Sequence, residues 1–353
     1  MPVPRIQDCQ AFKVAMPRGR RPQSILVRLT NEDGTTGWGE VAFPEPPDST
    51  WADISERLAP ALLGLEWERP EDVSATVEFG TRPAAAAVDI ACWDLWCRLK
   101  GLPLAHALGG TRTSIVTGTR IDTAPFLIDA LISRVNQAVG SGHTRVTLKV
   151  RPGWDIEPVR AVRAAYPALA VVVDACGSYT ESEEHLETLQ ALDAYGLVAI
   201  ERPFPAGDLA AHARLQQRLE TAVCPQISDL DMLEAAIEQR AGRMLHLDIS
   251  LMGGLTAARG AHDRAYAAGW DVWCGGSGAF GIGQAAAVAL AGLPGCTLPS
   301  DVTDPAGGPA FVSPPVRSHG GVVGVPLTQP GLGHQVDEER IAKLATDTRR
   351  IPA

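Results

Sequence analysis

The chain has 353 residues, 45% of them apolar and 20% charged, which is ordinary for a globular protein too long for one small core. A net charge of −10 argues against nucleic acid or an anionic membrane as partner. No window reaches the roughly 18 uninterrupted apolar residues that span a bilayer, and MPVPRIQDCQ lacks the apolar core of a signal peptide, so a cytoplasmic location is expected.

From the N-terminus, RIQDCQAFKV, SILVRLTNEDG and TTGWGE alternate like strands, and Asn31-Glu32-Asp33-Gly34 reads as a hairpin turn. The Pro-, Gly- and Arg-rich stretch 16–23, which contains Arg20, reads as a solvated loop or as a flap that closes over an anionic substrate. From Trp51 to about Gly110 the apolar spacing turns helical, completing a small α+β unit. Beyond it SIVTG, TRVTLKV, AVVVDA, LVAIERP, CPQISD, MLHLDIS, DVWCGG and CTLP alternate with helical segments such as IEPVRAVRAAY and LTAARGAHDRAYAAG. Seven or eight such repeats point to an α/β fold with a TIM-type barrel rather than an open sheet. The tail, with SHGGVVGVPL and PGLG, reads as strand and turn outside the barrel. The expected division is a capping domain at 1–114, a barrel at 115–318 and a C-terminal segment at 319–353 that returns to the cap.

Three acids close short apolar runs: Asp174 in VVVD, Glu201 in LVAIE and Asp229 in QISD, at intervals of 27 and 28 residues. That is about one strand plus one helix per step, so the acids would converge on one barrel mouth and could share a cation. Hard oxygen ligands suit Mg²⁺, with Mn²⁺ as an alternative. Removing a proton next to a carboxylate creates an unstable dianion, which a divalent cation stabilises. Lys149, 25 residues before Asp174, ends the preceding strand within TLKVR and is the candidate base. Taken singly, each acid would read as a helix N-cap or an ion-pair partner; the phase of the set is what argues for chemistry. The seven cysteines include no CxxC pair and read as small buried hydrophobes, with Cys176 set apart by its place two residues after Asp174. Trp154 and Trp273 read as core residues, and no Ser-His-Asp triad, Walker motif or HExxH helix is present.

These residues, together with AAVDIACWDLWCRLKGLPLAHALGGTR, LKVRPGWDIEPVRAVRAAYP, AIERPF, GGLTAA and DVWCGG, resemble the enolase superfamily, muconate-lactonising subgroup. The likeness is greatest to its o-succinylbenzoate synthase and N-acylamino-acid racemase branch and covers nearly the whole chain. It implies a (β/α)7β barrel with an α+β cap, Asp174, Glu201 and Asp229 as Mg²⁺ ligands, and Lys149 as the second lysine of a KxK motif. Thr147 stands where the first lysine is usual, and Asp248, in HLDIS, where a lysine on the opposite face of the substrate is usual. Cys176 replaces an Asn, Arg202 a Gln, Leu230-Asp231 a Glu-Ser, and residues 277–280 a Glu-containing stretch. Thr147, Arg151, Arg20, His246 and Ser277 are the candidate substrate contacts, with His246 sharing the strand of Asp248.

The resemblance implies a small carboxylate substrate and a homo-oligomer. Elimination or cycloisomerisation can run with Lys149 as the single base, making a lyase or cycloisomerase the first expectation. The alternatives are o-succinylbenzoate synthase or racemase activity with Asp248 as partner, or a non-catalytic descendant that binds a ligand at the mouth.

Overall fold

The computed structural model describes residues 5–15, 23–42, 47–78, 80–122, 124–275, 279–302 and 311–352. Strands β1 (Ile6–Ala15), β2 (Gln23–Asn31) and β3 (Thr36–Ala42) form an antiparallel meander. The hairpin turn falls at 31–34, where the Gly34 amide donates to the carbonyl of Asn31. Helix Arg82–Lys100 packs on this sheet, starting at the Thr81 cap and Pro83 and stopping at Gly101, whose positive φ suits a left-handed C-terminal cap. Its alanine face reaches the sheet because TGWGE carries two glycines. A Cβ at Gly39 would lie 1.8 Å from the Ala87 carbonyl oxygen, and one at Gly37 2.4 Å from that of Ala91.

Strand β4 (Ser114–Val116) precedes the barrel, whose strands are β5 (Gly118–Ile121), β6 (Arg145–Lys149), β7 (Ala170–Asp174), β8 (Ala199–Glu201), β9 (Ala222–Cys224), β10 (Met244–Leu247) and β11 (Asp271–Cys274). Strands β5 to β9 form one parallel sheet in sequence order and β10 pairs with β11. The segment around Ser300 closes the ring: Ser300 donates to Val116 O, Gly118 donates to Ser300 O, and Asp301 donates to Cys274 O. Helices such as Ile128–Gly140, Ile156–Ala165 and Glu183–Asp193 lie outside and cover Val146, Leu148, Val171, Val173 and Ile200. The alternate residues Val172, Ala199, Ala222, Cys224, Met244 and Trp273 fill the barrel interior.

Strands β12 (Val312–Ser313), β13 (Val322–Gly324) and β14 (Gln335–Val336) are short connections, and β15 (Ala345–Pro352) runs antiparallel along β1 as the outer strand of the cap sheet. The PGLG turn is held to the cap helix by Asp94, which accepts from the Leu332 amide (2.8 Å) and the Trp38 amide (2.9 Å) while paired with Arg98. A second tie comes from Glu40 of β3. This buried carboxylate accepts from the amides of Phe280 and Gly283 at the N-terminus of helix Ile282–Ala291, and from the Ser24 hydroxyl. Among the described residues no helix is long and apolar enough to cross a membrane.

Candidate active site

Register places the chemistry-bearing side chains. Lys149 pairs with Asp174 across β6 and β7, and Asp174 pairs with Glu201 across β7 and β8, so all three stand in one layer at the C-terminal ends of their strands. Lys149 is the only exposed residue of β6. Asp174 and Glu201 are buried. One layer deeper, Arg120 of β5 pairs with Thr147, and its guanidinium rises between the two acids. NH1 lies 2.9 Å from Asp174 Oδ2, and NH2 lies 2.8 and 3.0 Å from the two oxygens of Glu201. Arg202 reaches Asp174 from the other side, with Nε 2.9 Å from Oδ1 and NH2 2.5 Å from Oδ2. The backbone of Arg202 (φ 51°) and of Cys176 (φ 50°) is left-handed, a conformation that costs energy for side-chain-bearing residues and turns both back over Asp174.

A third arginine completes the floor. Arg145 is fully buried, stacked over Trp273 at 5.5 Å, and donates to Asp301 (2.8 Å), Thr147 Oγ1 (2.5 Å) and Pro299 O (2.9 Å). Asp301 also faces Arg120 Nε at 3.6 Å. His246 stacks on Trp273 and brings Nδ1 to 2.9 Å from Glu201 Oε1. Burial alone would raise the Glu201 carboxyl, but His246 and Arg120 outweigh it and hold that carboxyl well below its ordinary range. For Arg120, burial opposes the charge, and the carboxylates of Glu201, Asp301 and Asp174 more than restore it.

The expected third ligand is engaged by other partners. Asp229 caps helix Leu230–Glu238 by accepting from the Met232 amide (2.8 Å) and pairs with Arg82 of the cap helix (2.7 Å), its side chain 41% exposed. It has taken the roles that a single acid would have, N-cap and ion pair. Among the described residues no group of three His, Cys, Asp or Glu is arranged to hold a metal ion. Every oxygen of Asp174, Glu201 and Asp229 already accepts a hydrogen bond. The donor set as arranged does not fit Mg²⁺, which demands near-octahedral oxygen coordination.

Asp248 is likewise engaged. Its Oδ1 accepts from the amides of Ser250 (2.8 Å) and Leu251 (3.3 Å), capping the short helix Ile249–Met252. Burial raises its carboxyl, and His246, the two amides and Arg120 offset this only in part. Beside it a shallow cleft is lined by Asp248, Glu40, Ile90, Gly275 and Ala279 at the cap–barrel boundary.

Of the expected substrate contacts, Thr147 is buried beneath Lys149, and Arg151 stacks over Phe126 at 4.0 Å. His246 braces Glu201 from inside the barrel. Arg20 and Ser277 lie outside the described residues. Cys176 is the one exposed cysteine of seven, but burial of its thiol and the nearby Asp174 raise its pKa despite Arg202 and Lys149, so it is not a thiolate. Arg120, Arg145, Asp301 and Glu40 had no place in the sequence reading. For Arg120 a signal existed: in GTRI it falls on the inward phase of the first barrel strand, opposite Thr147.

Residues 3–109 match the family model described as mandelate racemase/muconate lactonizing enzyme, N-terminal domain, and residues 130–340 match enolase C-terminal domain-like. The chain is 34% identical to an o-succinylbenzoate synthase of Geobacillus stearothermophilus over 92% of this chain and 89% of that one. It is 35% identical to an N-succinylamino acid racemase of Thermus thermophilus over 79% of this chain and 78% of that one. A crystal structure of an enolase superfamily member from Listeria innocua superposes with a TM-score of 0.91 at 30% identity, covering 99% of both chains.

Proposed function

The chain belongs to the enolase superfamily, in its mandelate racemase/muconate lactonizing line, and from that premise we propose an enzyme that removes the α-proton of a small carboxylate substrate with Lys149 as base. The observation that carries this reading is the row Lys149, Asp174, Glu201, set in register at the mouth with Lys149 the exposed end of an otherwise buried strand. The substrate carboxylate faces Arg202, whose side chain is 29% exposed and whose NH1 makes no hydrogen bond among the described residues. The Lys149 amine takes the proton from the adjacent carbon; the C–H electron pair passes into the enolate, and Lys149 becomes an ammonium. The enolate pair then re-forms a C=C bond as the Cβ–O bond to the β-substituent breaks, and the ammonium gives its proton to that leaving oxygen; where the oxygen belongs to a lactone ring the same step opens or, in reverse, closes the ring, so one base serves both directions. The activity is therefore that of a lyase or cycloisomerase.

Racemisation, the activity in the name of one relative, calls for an acid or base on each face. Asp248 is the candidate for the second face, and its use as a helix cap argues against that role. Family members generally use Mg²⁺, but in this chain the carboxylates that would hold it are occupied by N–H donors.

The test is α-proton exchange in D₂O, followed by NMR with a panel of N-succinylamino acids and related carboxylates. Lys149→Ala is expected to lower the exchange rate by about 10²- to 10⁴-fold. Exchange that persists in this variant overturns the base assignment. Interconversion of enantiomers that Asp248→Asn abolishes would favour the racemase reading instead.

A further inference from the structure

The three acids that phase and resemblance assign to a divalent cation each have an arginine partner: Asp174 has Arg120 and Arg202, Glu201 has Arg120, and Asp229 has Arg82. Asp174 Oδ1 also accepts the Cys176 amide, and Asp229 Oδ1 the Met232 amide. The carboxylates and guanidinium groups ion-paired in the inner cluster match in number. Asp174, Glu201 and Asp301 supply three negative charges, and Arg120, Arg145 and Arg202 supply three positive ones. A divalent cation added there would bring two positive charges beside the guanidinium groups, or would have to displace those that already donate to the carboxylates. Arg120 is poorly placed to leave. It springs from the barrel interior and makes contact with Asp174, Glu201, Asp301 and His246 at once.

We propose that guanidinium groups replace the divalent cation in this protein, with Arg120 as a permanent internal cation between Asp174 and Glu201 and Arg202 as the cation presented to the substrate carboxylate. This rests on the catalytic reading above for the role of Arg202; the exclusion of metal rests on the carboxylate geometry alone. The site neither needs nor takes Mg²⁺ or Mn²⁺. A planar guanidinium suits a carboxylate by paired N–H donation, and unlike a metal it is supplied by the chain and cannot be lost to a chelator.

The experiment is a Mn²⁺ titration of the full chain followed by electron paramagnetic resonance, with melting temperature read in EDTA and in millimolar Mg²⁺. The expected result for wild type is no saturable Mn²⁺ site and no shift in melting temperature between the two conditions. The double variant Arg120→Ser/Arg202→Gln is expected to gain a Mn²⁺ site and to melt higher with metal than without. A saturable site in wild type that Asp174→Asn removes overturns the proposal, whether or not the double variant folds. The α-proton assay runs alongside. Exchange that survives EDTA supports the proposal, and exchange that EDTA abolishes and Mg²⁺ restores overturns it while leaving Lys149 as base. Absence of exchange in every condition, with no Mn²⁺ bound, sinks the catalytic reading and leaves metal exclusion standing.

Discussion

Asp89 and Asp94 on the cap helix and Asp174 and Glu201 at the barrel mouth are all buried carboxylates, yet their surroundings treat them differently. Asp89 meets neutral donors, the amide and hydroxyl of Thr256, the amide of Leu255 and the hydroxyl of Ser74, and burial pushes its carboxyl up to about 6. Asp94 has one guanidinium and two amides, and burial still leaves it raised. Glu201 has Arg120 bound to both oxygens and His246 beside it, and its carboxyl is lowered. At similar depth, the number and charge of the partners set the direction in which a buried carboxyl is shifted. In the cap, carboxyls stitch elements together; at the mouth they hold cations in place.

Removing a stitch should cost most. Asp94→Ala strands the Trp38 and Leu332 amides and unpairs Arg98, so we expect a loss of about 3–5 kcal/mol in urea unfolding and earlier proteolysis of the tail. A loss below about 1 kcal/mol would mean that water replaces the carboxylate. Glu201→Gln keeps the shape but leaves Arg120 short of one counter-charge, and about 2 kcal/mol is expected by the same measurement.

The pH dependence sharpens the contrast because the two signs are opposite. Glu201 has a folded pKa below its ordinary 4.5, so its contribution is present above that pH and is lost as pH falls below it. Asp89 has a folded pKa raised from 3.8 to about 6, so its contribution is full below 3.8 and is lost as pH rises through about 6. Urea midpoints measured across pH should show Glu201→Gln flattening the acid-side loss and Asp89→Asn flattening the decline toward pH 6. Identical profiles for the two variants would erase the distinction. The smallest effect belongs to Asp248. Replacement by Asn keeps a capping acceptor and should change stability by less than about 0.5 kcal/mol, whereas Ala should cost about 1 kcal/mol, read as a melting-temperature shift.

The barrel, the cap and the row of Lys149, Asp174 and Glu201 were legible because strand periodicity and repeat length are local properties of the chain. The fate of the acids was not. Arg120 meets Glu201 across 81 residues and Arg145 meets Asp301 across 156, and no spacing rule joins partners so distant. Phase put Asp229 at an expected strand end, but β9 stops at Cys224 and the acid stands five residues on, at the N-cap of the next helix. The helix that starts at the next residue and Arg82 from the cap claim it. Arg202 was visible as a departure from the family pattern, while its left-handed backbone, which returns it to Asp174, was not.

Glu40 links the cap to the barrel by direct hydrogen bonds from two backbone amides at the start of a barrel helix. The two parts of the molecule should therefore melt together, as one calorimetric transition. Glu40 is then one of several ties, with Asp89 on Thr256 and Arg82 on Asp229 beside it, that together decide whether heat separates the protein into two pieces or takes it apart at once.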